Sequence, residues 1–133
     1  VFDRTAPADA WLSGVSMGLL AAAILVANNV RDIETDQVAG KRTLAVILGR
    51  PAARWMYAAL VIFAYGVVAG AVAAGVLPPW ALLTFVSIPL AVPPVRTIFS
   101  QTDGPPWIGV LKATAGLQLV FAAVLSIGVM IAD

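Results

Sequence analysis

The sequence predicts an all-α transmembrane fold of four spans. Three observations carry that prediction. Composition is the first: 61% of the 133 residues are hydrophobic, 11% are charged, and the mean hydropathy is +0.96, whereas soluble domains carry about a quarter charged residues. The second is the length of the uncharged runs. Ala10–Val30, Trp55–Val95 and Ala113–Ala132 contain no Asp, Glu, Lys or Arg, and a span needs about 20 mostly apolar residues. The third is the placement of Trp11, Trp55, Trp80 and Trp107 near the ends of these runs, as in an interfacial aromatic belt.

The elements follow in order. The first span is expected over about 9–30. A cytoplasmic loop of about 31–50 comes next. The second span, about 51–76, opens on Pro51, a favourable first-turn residue because its missing N–H would be unpaired there in any case. Pro78 and Pro79 form an uncharged turn. The third span, about 80–95, contains Pro89 as a candidate kink. Its end is blurred by Pro93, Pro94 and Arg96. A second cytoplasmic loop of about 96–106 leads to the fourth span, about 107–131.

Orientation follows from the basic residues of the short loops. Arg31, Lys41, Arg42, Arg50 and Arg54 flank the first loop, and Arg96 and Lys112 flank the second. The proline turn has none, the N-terminal segment has only Arg4, and the C-terminus ends in Asp133. Both basic loops therefore face the cytoplasm of a bacterial cell (inner) membrane. Gly14 with Gly18, and Gly66 with Gly70 and Ala74, are spaced for close helix packing within one subunit. The chain begins at Val1 without a signal-peptide pattern, which fits a piece of a longer protein.

Several chemistries are excluded. There is no Cys and no His, so thiolate chemistry and the commonest general base are absent. The net charge is +1, which gives no reason to expect nucleic acid as a partner. What remains is carboxylate, amide, Lys, Arg and Tyr chemistry, and a hard, oxygen-loving cation.

Six of the fifteen charged residues lie in "NNVRDIETDQVAGKRT", Asn28 to Thr43. Asn28, Asp32 and Asp36 are four apart, so a helix stacks them along one face. Two carboxylates at that spacing repel unless a cation sits between them. Mg²⁺ takes one or two carboxylates and binds phosphate oxygens as well. Arg31, Lys41 and Arg42 lie beside them, and Lys and Arg both bind phosphate. Such a rim on an oily bundle suits a lipid with a diphosphate head. Gly40 is placed to end the helix, so that 43–48 folds back as a short interfacial helix.

The plainer alternative is a solvated, positively charged loop. Adjacent Asn28 and Asn29 at a span end weigh against it, because amides are costly in lipid and usually face a cavity or partner. A P-loop fails because Thr35 and Arg42 occupy positions its pattern reserves for Gly and Ser/Thr. A calcium loop fails because Val38 and Ala39 stand where oxygen ligands and a turn glycine are needed.

The stretch from Asn28 to Gly49, "NNVRDIETDQVAGKRTLAVILG", closely resembles the second Asp-rich motif of the intramembrane aromatic prenyltransferases, the UbiA superfamily. Its form is most like that of the branch acting on 1,4-dihydroxy-2-naphthoate in the menaquinone pathway. The resemblance implies a nine-helix fold, of which these four spans would be the last four. It implies two facing Asp-rich motifs that hold Mg²⁺ and a polyprenyl diphosphate, and an aromatic acceptor prenylated to demethylmenaquinone. The first motif is absent, since Asp3, Asp9, Asp103 and Asp133 are isolated. The missing N-terminal half would supply it, so this chain alone is expected to be incomplete and inactive.

By the same resemblance Asp32, Asp36 and Asn28 match the metal positions, and Lys41 and Arg31 the diphosphate contacts. Asn29 belongs to the same motif, and Arg42 is as well placed for lipid headgroups as for substrate; apart from the resemblance, Lys112 lies near the cytoplasmic end of the fourth span, within reach of the diphosphate. For Lys112 the plainer reading is a side chain that snorkels to the interface. Glu34 lies off the acidic face and reads as solvated. Gln118 reads as a helix–helix hydrogen bond before a tunnel residue, and Tyr57 and Tyr65 as packing residues. No catalytic acid or base is assigned. Two other functions remain open. One is a prenyltransferase for another acceptor such as 4-hydroxybenzoate. The other is a non-catalytic membrane transport or structural subunit.

Overall fold

The computed structural model describes residues 7–100 and 106–132. Arg4, Asp3, Asp103, Asp133 and the Trp107 side chain lie outside the described residues. Four long elements dominate: helix α1 (Ala8–Arg31), α4 (Arg50–Ala73), a 3₁₀ segment (Pro79–Ser87) that runs directly into α5 (Ile88–Ser100), and α6 (Pro106–Ile131). Two short helices, α2 (Ile33–Val38) and α3 (Leu44–Leu48), lie between α1 and α4. Among the described residues four helical stretches are long and apolar enough to cross a membrane, and the protein is an integral membrane protein.

Each long helix buries one stripe. On α1 it is Ser16, Leu20, Ala23, Ala27 and Val30; on α4 it is Ala53, Tyr57, Val61, Ala64 and Val68; on α6 it is Val110, Thr114, Leu117, Phe121 and Leu125. The three- and four-residue steps are those of a helix face. The helix α1 packs on α4 and α6, and α6 packs on the 3₁₀ segment and α5. Tyr65 sits at the centre, edge-on to Phe85 and Phe121 with centroids 5.5 and 5.2 Å away.

Close helix approach comes from alanines in these stripes rather than from the paired glycines. Gly14, Gly18, Gly66 and Gly70 are exposed, and a Cβ added to any of them would meet nothing within 4 Å. Their spacing is right for packing, but it falls on the outward faces of α1 and α4. The tight contact lies elsewhere. A Cβ on Gly128 would stand 2.4 Å from the Trp80 carbonyl oxygen.

The buried polar groups are paired within the bundle. The Tyr57 and Thr114 hydroxyls are 2.6 Å apart, linking α4 to α6. The Tyr65 and Ser87 hydroxyls are 2.7 Å apart, linking α4 to the 3₁₀ segment. Gln118 donates to the Met17 carbonyl across α6 and α1 at 3.3 Å, the helix–helix role expected of it. Pairing of this kind is what an apolar solvent demands of buried hydroxyls and amides.

The third span is less regular than its hydropathy implies. A nine-residue 3₁₀ run is long for that geometry. Pro89 has no N–H for an α-type bond to the carbonyl four residues back, and the ladder closes instead with Ile88 N–H donating to Phe85. Thr84 and Ser87 hydroxyls occupy the carbonyls of Ala81 and Thr84. Beyond Pro89 the helix carries Pro93 and Pro94 inside it and continues to Ser100, so Arg96 stands on a helix. Trp55 meets Phe99 edge-on, with ring centroids 5.0 Å apart. This contact brings the end of α5 to the start of α4, the same end of the bundle that carries the charged segment.

Candidate functional site

The charged segment is built by three local devices. The first is a break at Asp32, whose backbone (φ −100°, ψ 11°) interrupts the helical dihedrals. The hydrogen-bond ladder nevertheless passes through it. Asp32 N–H donates to Asn28 at 3.2 Å, and Asp36 N–H donates to Asp32 at 2.8 Å. Asn28, Asp32 and Asp36 are therefore linked turn by turn along one strip, as the spacing predicts.

The second device is a glycine stop. Gly40 has φ +73°, a conformation glycine adopts without steric cost. Its N–H donates to Gln37, and the Lys41 N–H reaches back to Asp36 at 2.8 Å. These two bonds form a Schellman motif. They reverse the chain so that the Lys41 ammonium lies 3.8 Å from the Asp36 carboxylate. The third device is the Thr43 N-cap, whose hydroxyl accepts from Val46 N–H at 3.3 Å and starts α3. The short helix α3 then packs back against α1, α2 and α4.

The electrostatics are those of paired charges. Arg31 grips both oxygens of Asp32, with Nε and Nη2 at 2.7 and 2.9 Å. Those hydrogen bonds hold the Asp32 carboxyl below the usual carboxylate range. Burial opposes them, and the charges of Arg31 and Lys41 add to the lowering. Asp32 is thus ionised at neutral pH. Asp36 is buried at 8% exposure and shares its charge with Lys41. Glu34 is exposed, as expected, and it also pairs with Arg50 at the head of α4, which ties the acidic segment to the second span. No spacing rule links residues 34 and 50, so only the folded chain reveals that pair.

The remaining candidates are distributed as follows. Asn28 and Asn29 are half-buried, and Arg42 is exposed. Asn28 lines an open groove between α1 and α6 whose other wall carries Lys112. Among the described residues no group of three or more Asp, Glu, His or Cys side chains converges. The strip supplies two carboxylates and an amide, oxygen donors of the kind and number that Mg²⁺ takes from protein.

The comparisons with known proteins agree on one family. A profile described as the UbiA prenyltransferase family matches residues 2–111. The chain is similar to 1,4-dihydroxy-2-naphthoate octaprenyltransferase of Bacillus subtilis (strain 168). The two are 37% identical over 121 residues, which are 90% of this chain and 39% of the relative. The protein of the same name from Mycobacterium leprae (strain TN) is 40% identical over 116 residues, 87% of this chain and 38% of the relative. That from Mycobacterium tuberculosis (strain ATCC 25618 / H37Rv) is 39% identical over 108 residues, 81% and 36%. The chain thus spans under two-fifths of the length of these relatives. No solved structure matches it significantly. With the profile covering most of its length and its Asp-rich strip intact at the end of the bundle, the chain belongs to the UbiA prenyltransferase family.

Proposed function

We propose that this chain is the C-terminal part of a membrane prenyltransferase that moves a polyprenyl group from its diphosphate to 1,4-dihydroxy-2-naphthoate, releasing diphosphate and CO₂ and giving the quinol form of demethylmenaquinone. The observation that carries the reading is the Asn28–Asp32–Asp36 strip, with Arg31 and Lys41 beside it at one end of an apolar bundle. The relatives' names supply the acceptor. The preceding half of the same polypeptide supplies the facing Asp-rich motif. On this reading the end of the bundle with the basic loops faces the cytoplasm at the bacterial inner membrane, an orientation supported by the positive-inside bias of those loops.

Asp32, Asp36 and Asn28 would hold Mg²⁺, which when bound neutralises charge on the departing diphosphate. The chain's own residues do the rest electrostatically. Lys41 is held close to Asp36 by the Schellman turn and offers its ammonium to a phosphate oxygen. Arg31 exchanges one charge-assisted pair, with Asp32, for another with diphosphate. The allylic C–O bond breaks, and the electron-rich ring forms the new C–C bond as its carboxylate is lost. The apolar lining contributed by the spans keeps water from the electron-poor carbon.

The test uses the full-length protein in membranes with a labelled prenyl diphosphate. Asp32→Asn and Asp36→Asn are each expected to lower transfer by about a hundredfold or more, at unchanged protein level. Unchanged transfer in both variants would return the strip to a structural loop. Transfer to 4-hydroxybenzoate in preference to the dihydroxynaphthoate would reassign the acceptor.

A further inference from the structure

The groove between α1 and α6 holds the one charge of the fourth span. Its volume is about 510 Å³, and its walls are Ile24, Leu25 and Asn28 on one side and Leu111, Lys112 and Ala115 on the other. Apart from Asn28 and Lys112 these linings are apolar. The segment Ile108–Ile131 contains no other Asp, Glu, Lys or Arg. Lys112 is exposed in the second turn of α6, where an ammonium reaches out along its stem to water or to an anionic partner. Among the described residues no carboxylate lies within ion-pairing distance of it.

The helix register shows where that ammonium can reach. Gln118 bonds to Met17, which aligns the antiparallel α6 and α1. Six residues from Gln118 to Lys112 are about 9 Å along the axis, which brings the Lys112 backbone level with about residue 23 or 24 of α1. A helical Cβ leans toward its own N-terminus, and for α6 that is the end of the charged strip. Asn28 lies about 6 Å further on, a distance the four-carbon lysine stem covers. Asp32 is one turn beyond.

Charge decides what fits there. Arg31 with Asp32 and Lys41 with Asp36 are each neutral as pairs. A diphosphate carrying one divalent ion remains negative and needs one further cation. Lys112 supplies it from the opposite wall, and the apolar lining below accepts isoprene units. We infer that Lys112 is a substrate-binding residue that contacts the diphosphate of the allylic donor from α6, opposite Asn28 and Asp32. The inference rests on the prenyltransferase reading and adds a residue from the last span to its site.

The experiment measures binding of farnesyl diphosphate and of farnesol to the full-length protein in nanodiscs of uncharged phosphatidylcholine, with and without Mg²⁺. Lys112→Gln is expected to weaken farnesyl diphosphate binding about tenfold or more, with farnesol binding and the thermal midpoint unchanged. Lys112→Arg restores most of the affinity. Lys112→Met keeps the apolar stem and repeats the loss if charge is the cause. Wild-type affinity for farnesyl diphosphate in both Lys112→Gln and Lys112→Met overturns the inference. So does an equal loss for farnesol, or an effect confined to nanodiscs doped with phosphatidylglycerol. Failure of the wild-type protein to prefer farnesyl diphosphate to farnesol, or wild-type binding by Asp32→Asn, defeats the prenyltransferase reading itself.

Discussion

Arg31 is adjacent to the carboxylate it binds, and this limits what the pair contributes to folding. Both side chains are about one-third exposed, at 34% and 32%, where an ion pair is worth about 0–1 kcal/mol. The functional demand is different, because a guanidinium placed to grip one anion bidentately is equally placed for a phosphate. Arg31→Gln in the full-length protein is therefore expected to leave the thermal midpoint within a few degrees. The KM for prenyl diphosphate should rise about tenfold, and that for the aromatic acceptor should stay unchanged. Steady-state kinetics against each substrate in turn, beside a melting curve, check it. A large fall in midpoint with both KM values unchanged would make Arg31 a structural clamp. At this scale the spacing of Asn28, Asp32 and Asp36 was legible in the sequence, because a four-residue step has one meaning on a helix. The Glu34–Arg50 pair was not, since it depends on how α3 folds back.

The four long helical elements follow from the uncharged runs, but which face of each packs does not. In a soluble helix, polarity marks the outer face. Here both faces are oily, so Gly14, Gly18, Gly66 and Gly70 offered a packing signal that the fold leaves outward. The 3₁₀ segment was hidden for a related reason: Pro89, Pro93 and Pro94 announce a disturbance without stating which carbonyls are re-satisfied, or how. The contact that matters for packing is Gly128 against the Trp80 carbonyl. Backbone on backbone cannot yield by a rotamer change, so Gly128→Ala is expected to destabilise by about 1–3 kcal/mol. Gly116→Ala, where a Cβ meets nothing within 4 Å, should be near neutral and serves as the control in detergent melts. Removing the hydroxyl that joins α4 to α6, by Tyr57→Phe, should cost about 0.5–1.5 kcal/mol, because Thr114 keeps its bond to the Val110 carbonyl.

At the scale of the whole molecule, the proposed chemistry asks for more carboxylates than the Asp-rich strip carries. Trp11 and Leu25 of α1 are 65% and 60% exposed, on a helix whose other end carries the Asp-rich strip. Lipid can cover those side chains, but it cannot supply the second set of carboxylates that a facing motif would bring. The relatives are more than twice as long, so the additional polypeptide is the natural source. Expressed alone, this chain is expected to insert into the membrane and show no prenyl transfer. Co-expressed with the preceding half as a separate polypeptide, it should recover transfer, since membrane helices associate after insertion through packing of this kind. Asp36→Asn in this half should abolish the recovered activity, which separates true complementation from residual activity of the other half. The absence of cysteine here permits a parallel check of orientation: Arg42→Cys should be labelled from the cytoplasmic side and Val76→Cys from the opposite side. Transfer by the isolated chain would show that one Asp-rich strip suffices. The Arg31 and Lys41 pairs would then have to release their carboxylates with no facing motif to share the metal, a cost that makes this the less favourable outcome.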